Sequence, residues 1–159
     1  VEAGADALAI HGRTYNDKFG GAARWDPIYE LKRAVDVPVL GNGDIWSAQD
    51  AVDKLGNLDG VMVGRGTFGN PWVMKDIAIA LQTGTVPPPS IQNISFEEKI
   101  PFIIEHCELA VQVKGEKRGM LEMRRHLASY VKGIEGASDM RAKLVRVEKI
   151  DDVKAVLCS

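Results

Sequence analysis

Two short glycine-rich segments combine residue types that bind anions. Gly41-Asn42-Gly43-Asp44 and Gly64-Arg65-Gly66 each follow a short apolar run. Glycine lets a ligand approach main-chain N–H groups closely, and an arginine guanidinium forms paired hydrogen bonds with phosphate oxygens. The two segments therefore predict a site for a phosphorylated ligand. The alternative is that the glycines only end strands, which explains Asn42, Asp44 and Arg65 poorly.

A third apolar run ends in a histidine, His11, which is followed by Gly12 and Arg13. A lone histidine beside an apolar run is often structural, but one at a ligand-binding edge has an equal claim to a functional role. As a neutral imidazole, His11 could hydrogen-bond a cofactor ring or a ribityl hydroxyl. As a cation, it could meet a phosphate.

Basic residues recur at seven-residue intervals near the carboxyl end, at Arg118, Arg125 and Lys132. At 100° per residue these side chains lie within about 40° of one another on a helix. The apolar residues of the same segment point the other way. Such a stripe is either an ordinary solvated helix face or a surface for a polyanion such as a nucleic acid.

Elements that would position these residues are predicted by the apolar pattern. Three short apolar runs, at 5–10, 37–40 and 59–63, are each followed by a polar loop and an amphipathic segment. Asp26 and Ser47 are expected to cap the first two helices. Residues 5–82 thus predict three strand–loop–helix units with parallel strands, whose carboxyl ends meet at one ligand-binding edge.

Residues 83–94 are rich in proline and polar residues and are predicted to be a linker. Beyond it the strand pattern disappears. A capping box at Ser95 and Glu98 begins a helix to about residue 114, and further helices are predicted at 116–132, 138–146 and 149–157. Residues 95–159 therefore predict a small all-helical bundle, and the fold class is α/β followed by all-α.

Composition excludes several classes of protein. The chain has 159 residues, 45% hydrophobic and 26% charged, with a formal net charge of −2. These values exclude a disordered chain, and no apolar run approaches the roughly 18 residues that cross a bilayer. Two cysteines, Cys107 and Cys158, are too few for a disulfide scaffold or a cysteine-rich zinc site and fit a reducing, cytoplasmic compartment. Cys107 is predicted to be a core residue, no metal site is expected, and an opening at Val1 without a methionine suggests a piece of a longer protein.

Six segments in order carry a family resemblance: Ile10–Thr14, Gly20–Trp25, Pro38–Ile45, Asp59–Gly66, Gly69–Trp72 and Arg125–Gly133. Together they resemble the tRNA-dihydrouridine synthases, in particular the bacterial branch, some of whose members carry an older nitrogen-regulation label. The resemblance covers nearly the whole chain. It implies an FMN-dependent (β/α)8 barrel enzyme that uses NADPH to reduce uridine in tRNA to 5,6-dihydrouridine.

The resemblance also implies roles for individual residues and regions. Residues expected to contact FMN are His11, Asn42, Gly43 and Asp44, with Gly64 and Arg65 on its phosphate. Residues 1–82 would be the last three units of the barrel, 83–94 a linker, and 95–159 a helical tRNA-binding domain carrying Arg118, Arg125 and Lys132.

One expected residue is missing from the match. The family's catalytic cysteine lies in an earlier barrel unit, so this chain alone is expected to be inactive. An incomplete barrel exposes strand edges, which predicts self-association. Two other functions remain open: another FMN barrel oxidoreductase acting on a small substrate, and a non-catalytic tRNA-binding module.

Overall fold

The computed structural model describes residues 1, 3–18 and 20–158. The chain forms two compact units. The first consists of Val1–Thr67 and Pro71–Ile91, and the second of Phe68–Asn70 and Gln92–Ser159. The second unit thus includes a three-residue segment from the middle of the first, which the sequence pattern does not predict.

The described part of the first unit is built on a parallel sheet of three strands in the order β1, β2, β3. The strands are β1 (Leu8–His11), β2 (Val39–Asn42) and β3 (Gly60–Met62). Helices follow each strand, as α1 (Asp26–Ala34), α2 (Ala48–Leu55) and α3 (Val73–Thr83). The predicted alternation of parallel strands and helices is confirmed.

Two strands lie further along the chain than predicted. β1 begins at Leu8 rather than residue 5 and includes His11, and β2 continues through Gly41 to Asn42. Pairing persists there because His11 lies opposite Asn42, and Asn42 lies opposite Met62 on the other side. His11 and Asn42 are therefore the last residues of their strands, which gives them fixed places in the sheet.

Of the two capping residues predicted from the sequence, one is observed and the other is not. Ser47 caps α2, since its hydroxyl accepts a hydrogen bond from the Asp50 N–H at 3.1 Å. The predicted cap at Asp26 is wrong. Trp25 already has helical dihedral angles and takes the capping position, so that Asp26 is the first residue of α1.

The core of the first unit lies between the sheet and its helices. Its buried side chains include Trp25, Ile28, Val39, Ala51 and Ile77. Gly41 is required at the centre of β2, because a Cβ there would lie 2.4 Å from the Trp25 ring. The absence of a side chain at Gly41 thus leaves room for the Trp25 ring against β2.

Within the described residues, the second unit contains four helices: α4 (Phe96–Lys114), α5 (Glu116–Tyr130), α6 (Ala137–Leu144) and α7 (Ile150–Leu157). The predicted capping box of Ser95 and Glu98 begins α4. The core of this unit is apolar, and Cys107 is buried within it as predicted. Its other fully buried residues include Ile103, Met120, Leu127, Leu144 and Val153.

Helix α5 ends two residues before the predicted boundary at 132. Val131 no longer has helical dihedral angles, and Lys132 donates its N–H to the Ser129 carbonyl in a tighter turn. Gly133 follows with a φ of +85°. Lys132 therefore lies beyond the helix.

Among the described residues, none of the helices combines the length and apolar character that a membrane crossing requires.

Candidate anion-binding site

The three loops that follow the strands of the first unit line one cavity of about 110 Å³. Its lining includes all six residues that the sequence predicts as cofactor contacts: His11, Asn42, Gly43, Asp44, Gly64 and Arg65. Ile45, Trp46 and Gly66 complete it. The loops meet here because parallel strands bring their carboxyl ends to the same edge of the sheet.

Asp44 is the centre of the hydrogen-bond network at this cavity. Its carboxylate accepts two bonds from the Arg13 guanidinium, at 2.8 and 2.7 Å, and one from the Ala23 N–H at 2.8 Å. Arg65 adds a further bond at 3.2 Å. The Arg13 hydrogen bonds lower the pKa of Asp44 below its usual value, with partial burial opposing them. The carboxylate is therefore ionised at neutral pH and holds two cations.

Asp44 also adopts an unusual backbone conformation, with φ of +51°. Lys54 in α2 donates a hydrogen bond of 2.7 Å to its carbonyl oxygen. A non-glycine residue with positive φ is held by its surroundings. Here the side chain and the carbonyl are both fixed, so the loop after β2 has one defined shape.

Arg13 is buried beneath the first loop. Its side chain is 5% exposed. Besides Asp44 it contacts the carbonyls of Gly20 and Gly21, at 3.2 and 2.5 Å. One guanidinium thus joins the loop after β1 to the loop after β2.

Arg65 lies at the mouth of the cavity, with its side chain 38% exposed. Its guanidinium carbon lies 5.2 Å from the centre of the Trp46 ring. Asp44 and Trp46 therefore contact the guanidinium by an ion pair and a cation–π interaction. Both contacts orient the cation on the cavity side of the loop.

The hydrogen bond of His11 determines which of its ring nitrogens can meet a ligand. Nδ1 accepts the Arg13 N–H at 3.0 Å. An accepting Nδ1 carries no proton, so Nε2 carries it and is a donor. Asn42 is oriented by a contact from its amide nitrogen to the Met62 sulfur at 3.3 Å.

The two loop glycines of Gly64-Arg65-Gly66 serve different purposes. A Cβ on Gly66 would lie 2.3 Å from the Ile45 carbonyl oxygen, so this glycine allows the loops after β2 and β3 to touch. A Cβ on Gly64 would meet nothing within 4 Å. The main chain at Gly64 is therefore open to a ligand.

Comparison with known proteins decides the family. The family model described as dihydrouridine synthase matches residues 1–158. The chain is 35% identical over 158 residues to a probable tRNA-dihydrouridine synthase of Mycobacterium leprae, covering 97% of this chain and 40% of that protein. The chain belongs to the dihydrouridine synthase family.

Similar relatives occur in other bacteria. A probable tRNA-dihydrouridine synthase 1 of Synechocystis is 35% identical over 98% of this chain and 43% of its own length. A tRNA-dihydrouridine synthase B of Xanthomonas axonopodis is 36% identical over 94% of this chain and 45% of its own. The chain thus spans less than half the length of these relatives.

Dihydrouridine synthases are flavin-dependent barrel enzymes. The donor set of the cavity fits the phosphate end of a flavin: the Arg65 guanidinium, the His11 Nε2–H, the Asn42 amide and the open main chain at Gly64. A volume of about 110 Å³ is too small for a whole cofactor, since pockets for such ligands measure roughly 300–1,000 Å³. The fit is therefore to one end of the ligand.

Among the described residues, no group of three or more histidine, cysteine or acidic side chains could hold a metal ion.

The basic residues of the helical unit are in more varied settings than the predicted stripe. Arg118 pairs with Glu122 at 3.0 Å, and Lys114 pairs with the same carboxylate. Arg125 lies over the Phe68 ring, 5.1 Å from its centre. Lys132 is exposed in the turn after α5. Glu122, an acidic residue within the stripe, was missed although its spacing of four residues from Arg118 signals an ion pair.

Three residues of the site were not singled out from the sequence. The sequence pattern places Arg13 beside His11 without giving it a role, and it gives none to Trp46 or Lys54. Lys54 and Arg13 both bind Asp44, which lies 10 residues from Lys54 and 31 residues from Arg13 in the sequence. The available signal for the Arg13–Asp44 pair is that an arginine and an aspartate lie in two loops that meet at one sheet edge.

Proposed function

We propose that the chain is the carboxyl-terminal part of a tRNA-dihydrouridine synthase. In this proposal residues 1–82 are the last three units of a (β/α)8 barrel, residues 83–94 are a linker, and residues 95–159 form a helical tRNA-binding domain. Family membership and the parallel sheet support the first part. A tRNA substrate implies a cytoplasmic enzyme.

The observation that carries the proposal is the convergence of three strand-end loops on one cationic cavity. Arg65 supplies the positive charge, while His11 and Asn42 supply neutral donors. A phosphate there would meet a guanidinium already held by Asp44 and Trp46. Preorganised donors bind an anion at a lower entropic cost than mobile ones.

When bound, FMN would supply the redox chemistry of the proposed reaction, in which NADPH is the reductant and the uracil ring is reduced. The residues of this chain bind and orient the cofactor. His11 offers Nε2–H, Asn42 offers its amide, and Gly64 leaves the main chain accessible. The uridine must leave the base stack to reach such a site, because a stacked base hides its ring carbons.

In the proposed enzyme Cys107 does not supply the proton that completes the reduction. Cys107 is buried in the helical core, and burial raises its pKa to about 11. A thiol held in an apolar core cannot reach a substrate. We expect the catalytic cysteine to lie in the part of the enzyme that precedes these residues.

Flavin binding tests the cofactor part of the proposal. In the whole enzyme, Arg65→Ala and Asn42→Ala are expected to lower FMN occupancy, measured by flavin absorbance relative to protein after purification. Arg24→Ala is the matched control, since Arg24 is exposed and pairs with Asp17 rather than with the cavity. Unchanged occupancy in both cavity variants would refute the assignment of these loops.

Salt dependence of tRNA binding tests the helical part. Removing Arg118, Arg125 and Lys132 together is expected to weaken binding and to reduce the slope of log affinity against log salt by roughly 0.7–0.9 for each lost phosphate contact. The control removes three other exposed basic residues, Arg141, Lys143 and Arg146. Equal slopes in the two triple variants would favour chemistry on a small substrate.

The outer strands of the sheet support one further part of the proposal. In the described residues β1 and β3 each pair only with β2. Unpaired strand edges recruit other strands, so the chain without its preceding barrel units is expected to self-associate. Sedimentation velocity at several concentrations measures this, and a monomer throughout would contradict it.

A further inference from the structure

We propose that Arg13 is a positioning residue that acts through Asp44 to keep Arg65 available for the phosphate of the cofactor. This inference rests on the proposed function. It concerns the preference of the site for a phosphorylated flavin over one without phosphate.

Arg13 does not line the cavity of the candidate site. Its side chain is 5% exposed, and its three nitrogen atoms already donate to Gly20, Gly21 and both oxygens of Asp44. Four of the five N–H donors of the guanidinium are therefore used within the two loops. Any effect of Arg13 on the ligand must therefore pass through the groups that it holds.

Asp44 is equally occupied. One carboxylate oxygen accepts from Arg13 and Arg65, and the other accepts from Arg13 and the Ala23 N–H. Two oxygens offer about four acceptor positions, so all of them are used. The side chain of Asp44 therefore holds cations in place rather than binding a ligand, and the ligand contact expected of this residue from its motif would have to come from its main chain.

The balance of charge gives the direction of the effect. Arg13, Asp44 and Arg65 together carry a net charge of +1 beside the cavity. Without Arg13, the carboxylate has two empty acceptor positions and no partner for its charge other than Arg65. The Arg65 contact, now a single bond at 3.2 Å, would tighten into a paired one. The guanidinium would turn towards Asp44 and the local charge would fall to zero, so phosphate would lose its main attraction.

The test compares two ligands that differ only in the phosphate. Dissociation constants for FMN and riboflavin are measured by flavin fluorescence on the whole apoenzyme and on its variants. The ratio of the two constants reports the phosphate contact alone. A general loss of structure weakens both ligands and leaves that ratio unchanged.

Arg13→Met is expected to lower the preference for FMN over riboflavin by about tenfold or more, as for loss of one charge-assisted contact. Arg13→Lys keeps the charge but not the paired geometry and is expected to lower it less. Arg24→Met, in the same loop but paired with Asp17, is expected to leave the ratio unchanged.

Two outcomes would overturn the inference without touching the proposed function. One is an unchanged ratio in Arg13→Met while Arg65→Met abolishes the preference. The other is equal weakening of both flavins. If Arg13→Met does not fold, as judged by circular dichroism, Arg13→Lys decides, and an unaltered ratio there overturns the inference. A wild-type enzyme with no preference for FMN would instead refute the proposed function.

Discussion

Gly69 offers a sharp test of how the second unit is packed. Its φ is +72°, and a Cβ would lie 2.4 Å from the Ser129 carbonyl oxygen and 2.7 Å from the carbonyl carbon. Both neighbours are main-chain atoms near the end of α5, so neither can rotate away. Gly69→Ala therefore combines a conformational cost with a steric one.

The two costs can be estimated separately. A left-handed backbone costs a non-glycine residue about 1–2 kcal/mol. Forcing a methyl group against packed atoms costs typically 1–3 kcal/mol. Gly69→Ala is then expected to lower the free energy of unfolding by about 2–5 kcal/mol. Gly133 has a φ of +85° with nothing within 4 Å of its Cβ, so Gly133→Ala is expected to cost only the first 1–2 kcal/mol.

Urea unfolding followed by circular dichroism at 222 nm measures both variants. The three tryptophans, Trp25, Trp46 and Trp72, all belong to the first unit, so their fluorescence reports that unit separately. The helical signal should move to lower urea in Gly69→Ala by more than in Gly133→Ala. Equal shifts in the two variants would refute the close contact with Ser129.

Three further predictions concern titratable groups. Hydrogen bonds from Arg13 lower the pKa of Asp44, so the stabilising effect of this carboxylate is complete above its unfolded pKa of about 3.9 and is lost as the pH falls further. The free energy of unfolding, measured in urea by tryptophan fluorescence, should therefore fall more steeply below pH 4 in the wild type than in Asp44→Asn. Burial lowers the pKa of His106 and of His126, so the folded state binds fewer protons than the unfolded state as the pH falls below about 6.5. The helical unit should therefore lose stability from pH 7 to pH 5. A variant with glutamine at both positions should not show this loss. At pH 8 a thiol reagent should label Cys158 rapidly and Cys107 only after denaturation, since Cys107 is buried with a pKa of about 11; rapid labelling of two thiols in the native protein would contradict this.

The order of elements could be predicted because it depends on local patterns. Alternating apolar runs and amphipathic segments indicate strands and helices, and parallel strands then bring His11, Asn42 and Arg65 to one edge without further information. Element ends depend on contacts between residues that are distant in the sequence. Trp25 packs against β2 at Gly41, a contact between residues 16 positions apart that no local pattern contains.

The site was predicted as a set of residues but not as a network. The sequence suggested that Asp44 faces a ligand, whereas its carboxylate faces Arg13 and Arg65. Such pairing depends on how two loops approach each other across the sheet edge. For the same reason the cation–π contact of Arg65 with Trp46 could not be inferred from spacing alone.

The chain passes between its two units three times, after Thr67, after Asn70 and after Ile91. A chimera that takes its helices from another relative, joined only at the proline-rich stretch, would keep the original Phe68–Asn70 against foreign helices. Gly69 lies so close to the Ser129 carbonyl that this tripeptide and the end of α5 should come from the same parent protein. Exchange of the helical region between relatives therefore requires two grafts, one long and one of only three residues.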